Sequence, residues 1–137
     1  MDAAAPAASA FVTLVAWSAA LLVLQVGLQG ALSTLELGPK WNAGPRDDRR
    51  KPAGVLAGRA ERASANLRET YPVFVGLALA LAIVGDPSGW GYRGALIWLG
   101  CRILYVPLYL AGIAYIRSLI WLGALAGLFC MFAALVL

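Results

Sequence analysis

Four long apolar stretches, separated by short polar connectors, dominate the pattern of the chain. They cover approximately residues 7–37, 53–84, 92–115 and 118–137. A helix needs about 20 mostly apolar residues to cross a bilayer core of roughly 30 Å. We therefore predict an all-α integral membrane protein, with a single domain over residues 1–137 in which four transmembrane helices form a bundle.

The cations of the chain are distributed unevenly among the connectors. The first connector carries five of them, and Arg117 lies in the last one. By the positive-inside rule both connectors are cytoplasmic and both termini lie outside. The first stretch has no preceding Lys or Arg and is longer than the apolar region of a signal peptide, so we expect a retained helix. The Ala-, Gly- and Leu-rich composition favours a bacterial inner membrane.

The amino-acid composition argues against several classes of function. The chain is 61% hydrophobic and 13% charged, which is not the balance of a soluble domain. The net charge of +4 could suggest nucleic acid, but the cations adjoin membrane segments, so topology explains them and no nucleic acid partner is expected. The chain lacks histidine, which excludes a histidine base and most zinc sites, and we expect no metal. Cys101 and Cys130 lie in apolar runs and are interpreted as small buried hydrophobes.

The second predicted helix carries an unusual polar stripe. Arg59, Arg62, Asn66 and Glu69 are spaced three, four and three residues apart, so they share one side of a helix. Charge within a membrane helix is expensive and normally faces a protein interior or a water-filled cavity. The stripe therefore predicts a polar pocket in an otherwise apolar protein.

The third predicted helix carries a second stripe. Arg102, Tyr105 and Tyr109 are spaced three and four residues apart, and Arg102 lies near the expected midplane of the membrane. Glu69 is expected at a similar depth, so it could pair with Arg102 if the two faces meet. A surplus of guanidinium groups over carboxylates favours an anionic ligand over helix packing alone. By contrast, Gly123 and Gly127 of the fourth helix predict a close-packing face.

Two segments together resemble the MAPEG family, the membrane-associated proteins of eicosanoid and glutathione metabolism. They are R-A-E-R-A-S-A-N-L-R-E-T-Y-P-V-F on the second helix and R-I-L-Y-V-P-L-Y, followed by I-R-S, on the third. Length, span number and topology agree, so the resemblance covers nearly the whole chain. It implies a homotrimer surrounded by membrane lipids, with glutathione as cosubstrate bound between adjacent subunits in the cytoplasmic half.

The resemblance also implies roles for individual residues. Arg117 matches an arginine that stabilises the glutathione thiolate, and Ser118 follows it, as a serine does in some members. Thr70 stands where some eicosanoid-forming members carry tyrosine, and Tyr105 stands where one prostaglandin-forming branch carries histidine, so the set is closer to bacterial members. The glutathione-binding positions are matched by Arg59, Arg62, Asn66, Glu69, Arg102, Tyr105 and Tyr109.

The leading hypothesis is a glutathione-dependent transferase or peroxidase that acts on lipophilic electrophiles through an arginine-stabilised thiolate. One alternative is a non-enzymatic, lipid-binding membrane protein of the same fold. Another is a small four-helix transporter with Glu69 as its coupling carboxylate, although the arginine-rich surroundings of Glu69 argue against proton cycling with a cationic drug.

Overall fold

The computed structural model describes residues 4–137, with side chains from residue 8 onward. Helices make up 85% of this part of the chain, which contains no strand. Four helices are long and apolar enough to cross a membrane. The prediction of an all-α integral membrane protein is confirmed. The helices are α1 (Ala4–Leu37), α2 (Pro39–Ala43), α3 (Val55–Val84), α4 (Trp90–Ala111) and α5 (Ala114–Val136), of which α2 is a single short turn in the first connector.

The core is formed where α1, α3, α4 and α5 meet. On α1, Phe11, Leu14, Ser18, Leu21 and Gln25 are buried at alternating spacings of three and four, which place them on one face. In the centre, the fully buried rings of Phe74 and Trp98 stack in parallel with their centroids 3.9 Å apart. Stacked aromatic pairs of this kind add about 0.5–1.5 kcal/mol beyond the area that they bury.

Helices α4 and α5 pack through their backbones. A Cβ atom on Gly127 would lie 2.6 Å from the carbonyl oxygen of Gly94, and one on Gly123 would lie 3.0 Å from Sγ of Cys101. At Gly127 the neighbour is backbone, so only glycine permits this approach, and small residues of this kind let membrane helices come into close contact. The predicted packing face on the last helix is therefore confirmed.

Acidic side chains accept hydrogen bonds from backbone N–H groups at the beginnings of two membrane helices. The carboxylate of Glu36, at the end of α1, accepts hydrogen bonds from the backbone N–H groups of Ala53 (2.5 Å) and Gly54 (2.9 Å). Asp86 accepts the N–H of Tyr92 at 2.8 Å in the first turn of α4. The first N–H groups of a helix lack intrahelical partners, and the helix dipole favours negative charge there.

The break between the last two helices differs from the expectation. We expected it at residues 116–118, whereas α4 ends at Ala111 and α5 begins at Ala114. Gly112 adopts the left-handed conformation (φ 77°), and Ile113 N–H donates to the carbonyl of Leu108 at 3.1 Å. This is a Schellman motif, which ends a helix at a glycine. Arg117 therefore lies in the first turn of α5 rather than in the connector between the last two helices.

Candidate functional site

The buried guanidinium of Arg102 lies at the centre of the candidate site. Arg102 is about halfway along α4 and only 1% exposed. Its Nη1 donates to Oδ1 of Asn66 at 2.6 Å, and its Nη2 donates to Oγ1 of Thr70 at 2.5 Å. Asn66 and Thr70 are one turn apart on α3, so both face α4. Nε of Arg102 is buried and has no partner among the described residues.

Aromatic rings connect Arg102 to the last helix. Its guanidinium carbon lies 5.5 Å from the ring centre of Tyr105, whose ring meets that of Tyr109 edge-on at 5.4 Å. The guanidinium of Arg117 lies over the opposite end of this row, 4.4 Å from the centre of Tyr109. Both arginines are within the range of cation–π attraction. We call Asn66, Thr70, Arg102, Tyr105, Tyr109 and Arg117 the polar cluster.

Arg59 and Ser118 lie beside the polar cluster without joining it. Nη1 of Arg59 reaches across to α4 and donates to the carbonyl oxygen of Leu110 at 3.0 Å. A Cβ atom on Gly112 would lie 2.6 Å from this guanidinium, so the helix break and Arg59 fit together. The exposed hydroxyl of Ser118 donates to the carbonyl of Ala114 within its own helix, at 3.2 Å.

The predicted stripe on α3 is divided between two directions. Asn66 is partly covered and faces Arg102, whereas Arg62 and Glu69 are exposed. At 3.6 residues per turn, Glu69 lies about 60° further round the helix than Asn66. Arg102 is therefore held by Asn66 and Thr70, and the suggested pairing with Glu69 is absent from the structure. Within the described residues, the one salt bridge joins Arg50 to Asp48 in the first connector.

Thr70 is the residue of the polar cluster that was not assigned to the site from the sequence. From the sequence, Thr70 is only a departure from those family members that carry tyrosine at this position. Its hydroxyl is nevertheless one of the two acceptors that hold Arg102. The signal was available, because Thr70 follows Asn66 by four residues and so shares its face of the helix.

Comparison with known proteins identifies the family to which the chain belongs. A sequence model of the MAPEG family matches residues 14–137, which is nearly the whole chain. The chain belongs to the MAPEG family. Neither the curated proteins nor the solved structures that were compared gave a match. The resemblance seen in the two polar segments is thus confirmed, and this MAPEG protein is a membrane protein of the glutathione- or eicosanoid-related kind.

The geometry of this MAPEG protein defines what its polar residues can do. The polar cluster fixes two guanidinium groups, Arg102 and Arg117, at either end of a pair of tyrosines. Arg102 donates to neutral acceptors, so no carboxylate offsets the positive charge of its guanidinium in this buried position. Arg62 and Glu69 leave a cation and an anion uncovered on the adjoining face of α3. Such a surface is suited to an anion that also carries a cationic group.

Proposed function

We propose that the protein is a glutathione-dependent transferase or peroxidase that acts on lipophilic electrophiles. The observation that carries the proposal is the polar cluster, with two fixed guanidinium groups, beside the uncovered charges of Arg62 and Glu69. These charges lie on a helix that is apolar enough to span a membrane. Exposure of charge to lipid is costly, so a ligand, water or another subunit has to cover it.

The donor set fits the chemistry of glutathione. Glutathione has two carboxylates, one ammonium group and one thiol. Arg62 and Arg102 would attract the carboxylates, for which planar guanidinium groups are the best protein partners. Glu69 would take the ammonium group. Asn66 and Tyr105 hold Arg102 in place, and Arg59 would contribute positive charge near the end of α4.

Arg117 is the residue that would activate the thiol, and Tyr109, beneath its guanidinium, would line the same part of the pocket. A free thiol has a pKa near 8.5, and a neighbouring guanidinium raises the thiolate fraction at neutral pH. Arg117 is partly buried and lies against Tyr109, which restricts the positions that its guanidinium group can adopt. The thiolate sulfur would then attack an electrophile that enters from the bilayer. Ser118, one residue along α5, would serve as an additional hydrogen-bond donor once its bond to Ala114 is released.

The protein would assemble as a homotrimer in which glutathione binds between adjacent subunits. Arg62 and Glu69 are exposed in the single chain and would be covered there by a neighbouring subunit. The site would lie in the cytoplasmic half of a bacterial inner membrane, with both termini outside. The clustering of cations in the first connector supports this orientation.

Substitution of two residues separates binding from chemistry. Arg117→Ala should lose most of the turnover of a model electrophile while glutathione binding, measured by isothermal titration calorimetry, is largely retained. Glu69→Ala should lose binding. Arg93→Ala is the matched control, because Arg93 also lies over an aromatic ring, Trp90 at 5.3 Å, but is near the opposite end of α4.

Retained turnover in both Arg117→Ala and Glu69→Ala would refute the proposed roles. If the wild-type protein bound no glutathione at all, the alternative of a non-enzymatic lipid-binding protein would replace the enzyme. Mass spectrometry of lipophiles that copurify with the protein would then be the decisive experiment.

A further inference from the structure

A polar cavity lies away from the polar cluster, between α1, the first connector and α3. Its volume is about 440 Å³, within the range of roughly 300–1,000 Å³ that is usual for small-molecule sites. We call it the connector cavity. Its charged lining consists of Arg46, Arg50, Lys51 and Arg68, with Glu61 as the single carboxylate.

The connector cavity is distinct from the proposed glutathione site. On α3 it is lined by Glu61 and Arg68, which are seven residues apart and so share a face. At 3.6 residues per turn, this face is about 100° round the helix from Arg62 and Glu69. The four cations that line the connector cavity are therefore available to a ligand other than glutathione.

Two of these cations are held in place by neighbours in the connector. Nη2 of Arg46 donates to Oδ1 of Asn42 at 2.5 Å, and its guanidinium lies over the ring of Trp41, 4.5 Å from the centre. Arg46 also has a left-handed backbone (φ 60°), a conformation that persists in a non-glycine residue only when its surroundings enforce it. Nε of Arg50 donates to Asp48 at 2.6 Å, and this bond lowers the pKa of the Asp48 carboxyl.

The remaining two cations keep donors available. Arg68 uses only Nε, in a long bond of 3.4 Å to the carbonyl of Ser64, so its two terminal nitrogens are open to a ligand. Lys51 forms no side-chain hydrogen bond within the described part of the chain and is exposed. Three guanidinium groups and one ammonium group thus converge on one cavity, and two carboxylates oppose them: Glu61 in the lining and Asp48, which is paired with Arg50. Phosphate is the ligand that such a set recognises best.

The other lining residues indicate an amphiphile. Val26 and Gly30 of α1 line the cavity from the membrane-spanning part of that helix, and Val26 is 47% exposed. The parts of α1 and α3 that line the cavity each extend over seven residue steps, or about 10 Å along the helix axis. The cavity therefore leads from the charged connector down toward the apolar surface of the bundle. A molecule with a phosphate head and an acyl chain matches this gradient.

We propose that the connector cavity binds the phosphate group of an anionic amphiphile, and that in the membrane this is the headgroup of an anionic phospholipid. Arg46 and Arg50 are positioned in advance, whereas Lys51 and Arg68 close on the phosphate from the connector and from α3. Gln29 and Ser33, which also line the cavity, supply neutral hydrogen-bonding groups for the hydroxyls of the headgroup.

Native mass spectrometry of the full chain in detergent tests this proposal. Phosphatidylglycerol, phosphatidylcholine and the soluble ester glycerol 3-phosphate would be titrated separately. Each cation near a membrane surface contributes about 1 kcal/mol to anionic-lipid binding, so Lys51→Gln and Arg68→Gln should each weaken phosphatidylglycerol binding by about fivefold. Lys51 lies in the connector, so its variant keeps the test valid if Arg68→Gln folds poorly.

Arg49→Asn is the matched control. Arg49 belongs to the same basic run but does not line the connector cavity, and its left-handed backbone (φ 54°) is one that asparagine tolerates. We expect its lipid binding to equal that of the wild type. Equal binding of phosphatidylglycerol and phosphatidylcholine, or equal losses in all three variants, would overturn the proposal. Tight binding of glycerol 3-phosphate that depends on Lys51 would support the phosphate site but reject the lipid as its source.

Discussion

Replacing Thr70 by valine removes one of the two side-chain oxygens that hold the guanidinium of Arg102. Valine has nearly the same shape as threonine, so no cavity is created and only the hydroxyl is lost. The lost hydrogen bond is 2.5 Å long and links a neutral acceptor to a buried charge. Nη2 of Arg102 would then have no partner on α3, in a side chain that is 1% exposed.

The expected loss of stability follows from the hydrogen bond that is removed and from the burial of Arg102. Hydrogen bonds to charged groups contribute about 1.5–3 kcal/mol in soluble proteins. Polar contacts between membrane helices average about 0.6 kcal/mol and reach about 1.7, because the unfolded chain in the membrane also finds partners. Since Arg102 is charged and buried, we expect a value near the upper membrane limit, about 1.5 kcal/mol.

Unfolding by sodium dodecyl sulfate, followed by far-ultraviolet circular dichroism, measures the loss. The matched control is Thr13→Val, since the exposed hydroxyl of Thr13 donates only to the carbonyl of Ser9 in its own helix. Exposed substitutions of this kind usually change stability by less than about 0.5 kcal/mol. When Arg102→Met is already present, Thr70→Val should also have little effect, because the charge that needs the hydroxyl is gone.

Two results would refute this reasoning. If Thr70→Val and Thr13→Val were equally stable, the hydroxyl of Thr70 would not hold Arg102. If the loss persisted unchanged in the Arg102→Met background, it would come from the helix itself rather than from the contact between α3 and α4. Residues in one hydrogen-bond network normally show coupling energies of about 0.5–3 kcal/mol.

Two further predictions concern the fold. Gly127→Ala should destabilise the protein by about 1–3 kcal/mol in the same assay, because its Cβ would lie 2.6 Å from the carbonyl oxygen of Gly94. The control Gly100→Ala, with open space at its Cβ position, should be neutral or stabilising. Equal losses of stability in both variants would contradict the close packing of α4 and α5. Glu36→Gln should lower stability by about 0.5–1 kcal/mol, because a charged acceptor at the start of α3 is replaced by a neutral one; an unchanged midpoint would show that Glu36 does not cap α3.

The polar face of α4 could be predicted from the sequence because its basis is local. Arg102, Tyr105 and Tyr109 follow the helical repeat over only two turns, and their side chains do meet in the structure. The stripe on α3 is longer, and its spacing averages fewer than 3.6 residues per turn. It therefore drifts by about 80° over ten residues, which carries Glu69 away from the face that holds Asn66.

Other features depend on contacts between distant parts of the chain. The helix break at Gly112 is set by its own left-handed conformation and by Arg59, which is 51 residues from the carbonyl that it binds. The glycine alone was a readable signal for a helix end. Glu36 caps α3 from the end of α1, across 18 residues of sequence to Gly54. A periodic pattern within one helix does not predict such contacts.

The most direct test of the proposed function is an ultraviolet difference spectrum of the detergent-purified protein with glutathione at neutral pH. We expect a thiolate absorbance band in the wild type and in Arg93→Ala, and a much weaker band in Arg117→Ala at glutathione concentrations that saturate both proteins. A band of equal intensity in Arg117→Ala would show that Arg117 does not stabilise the thiolate.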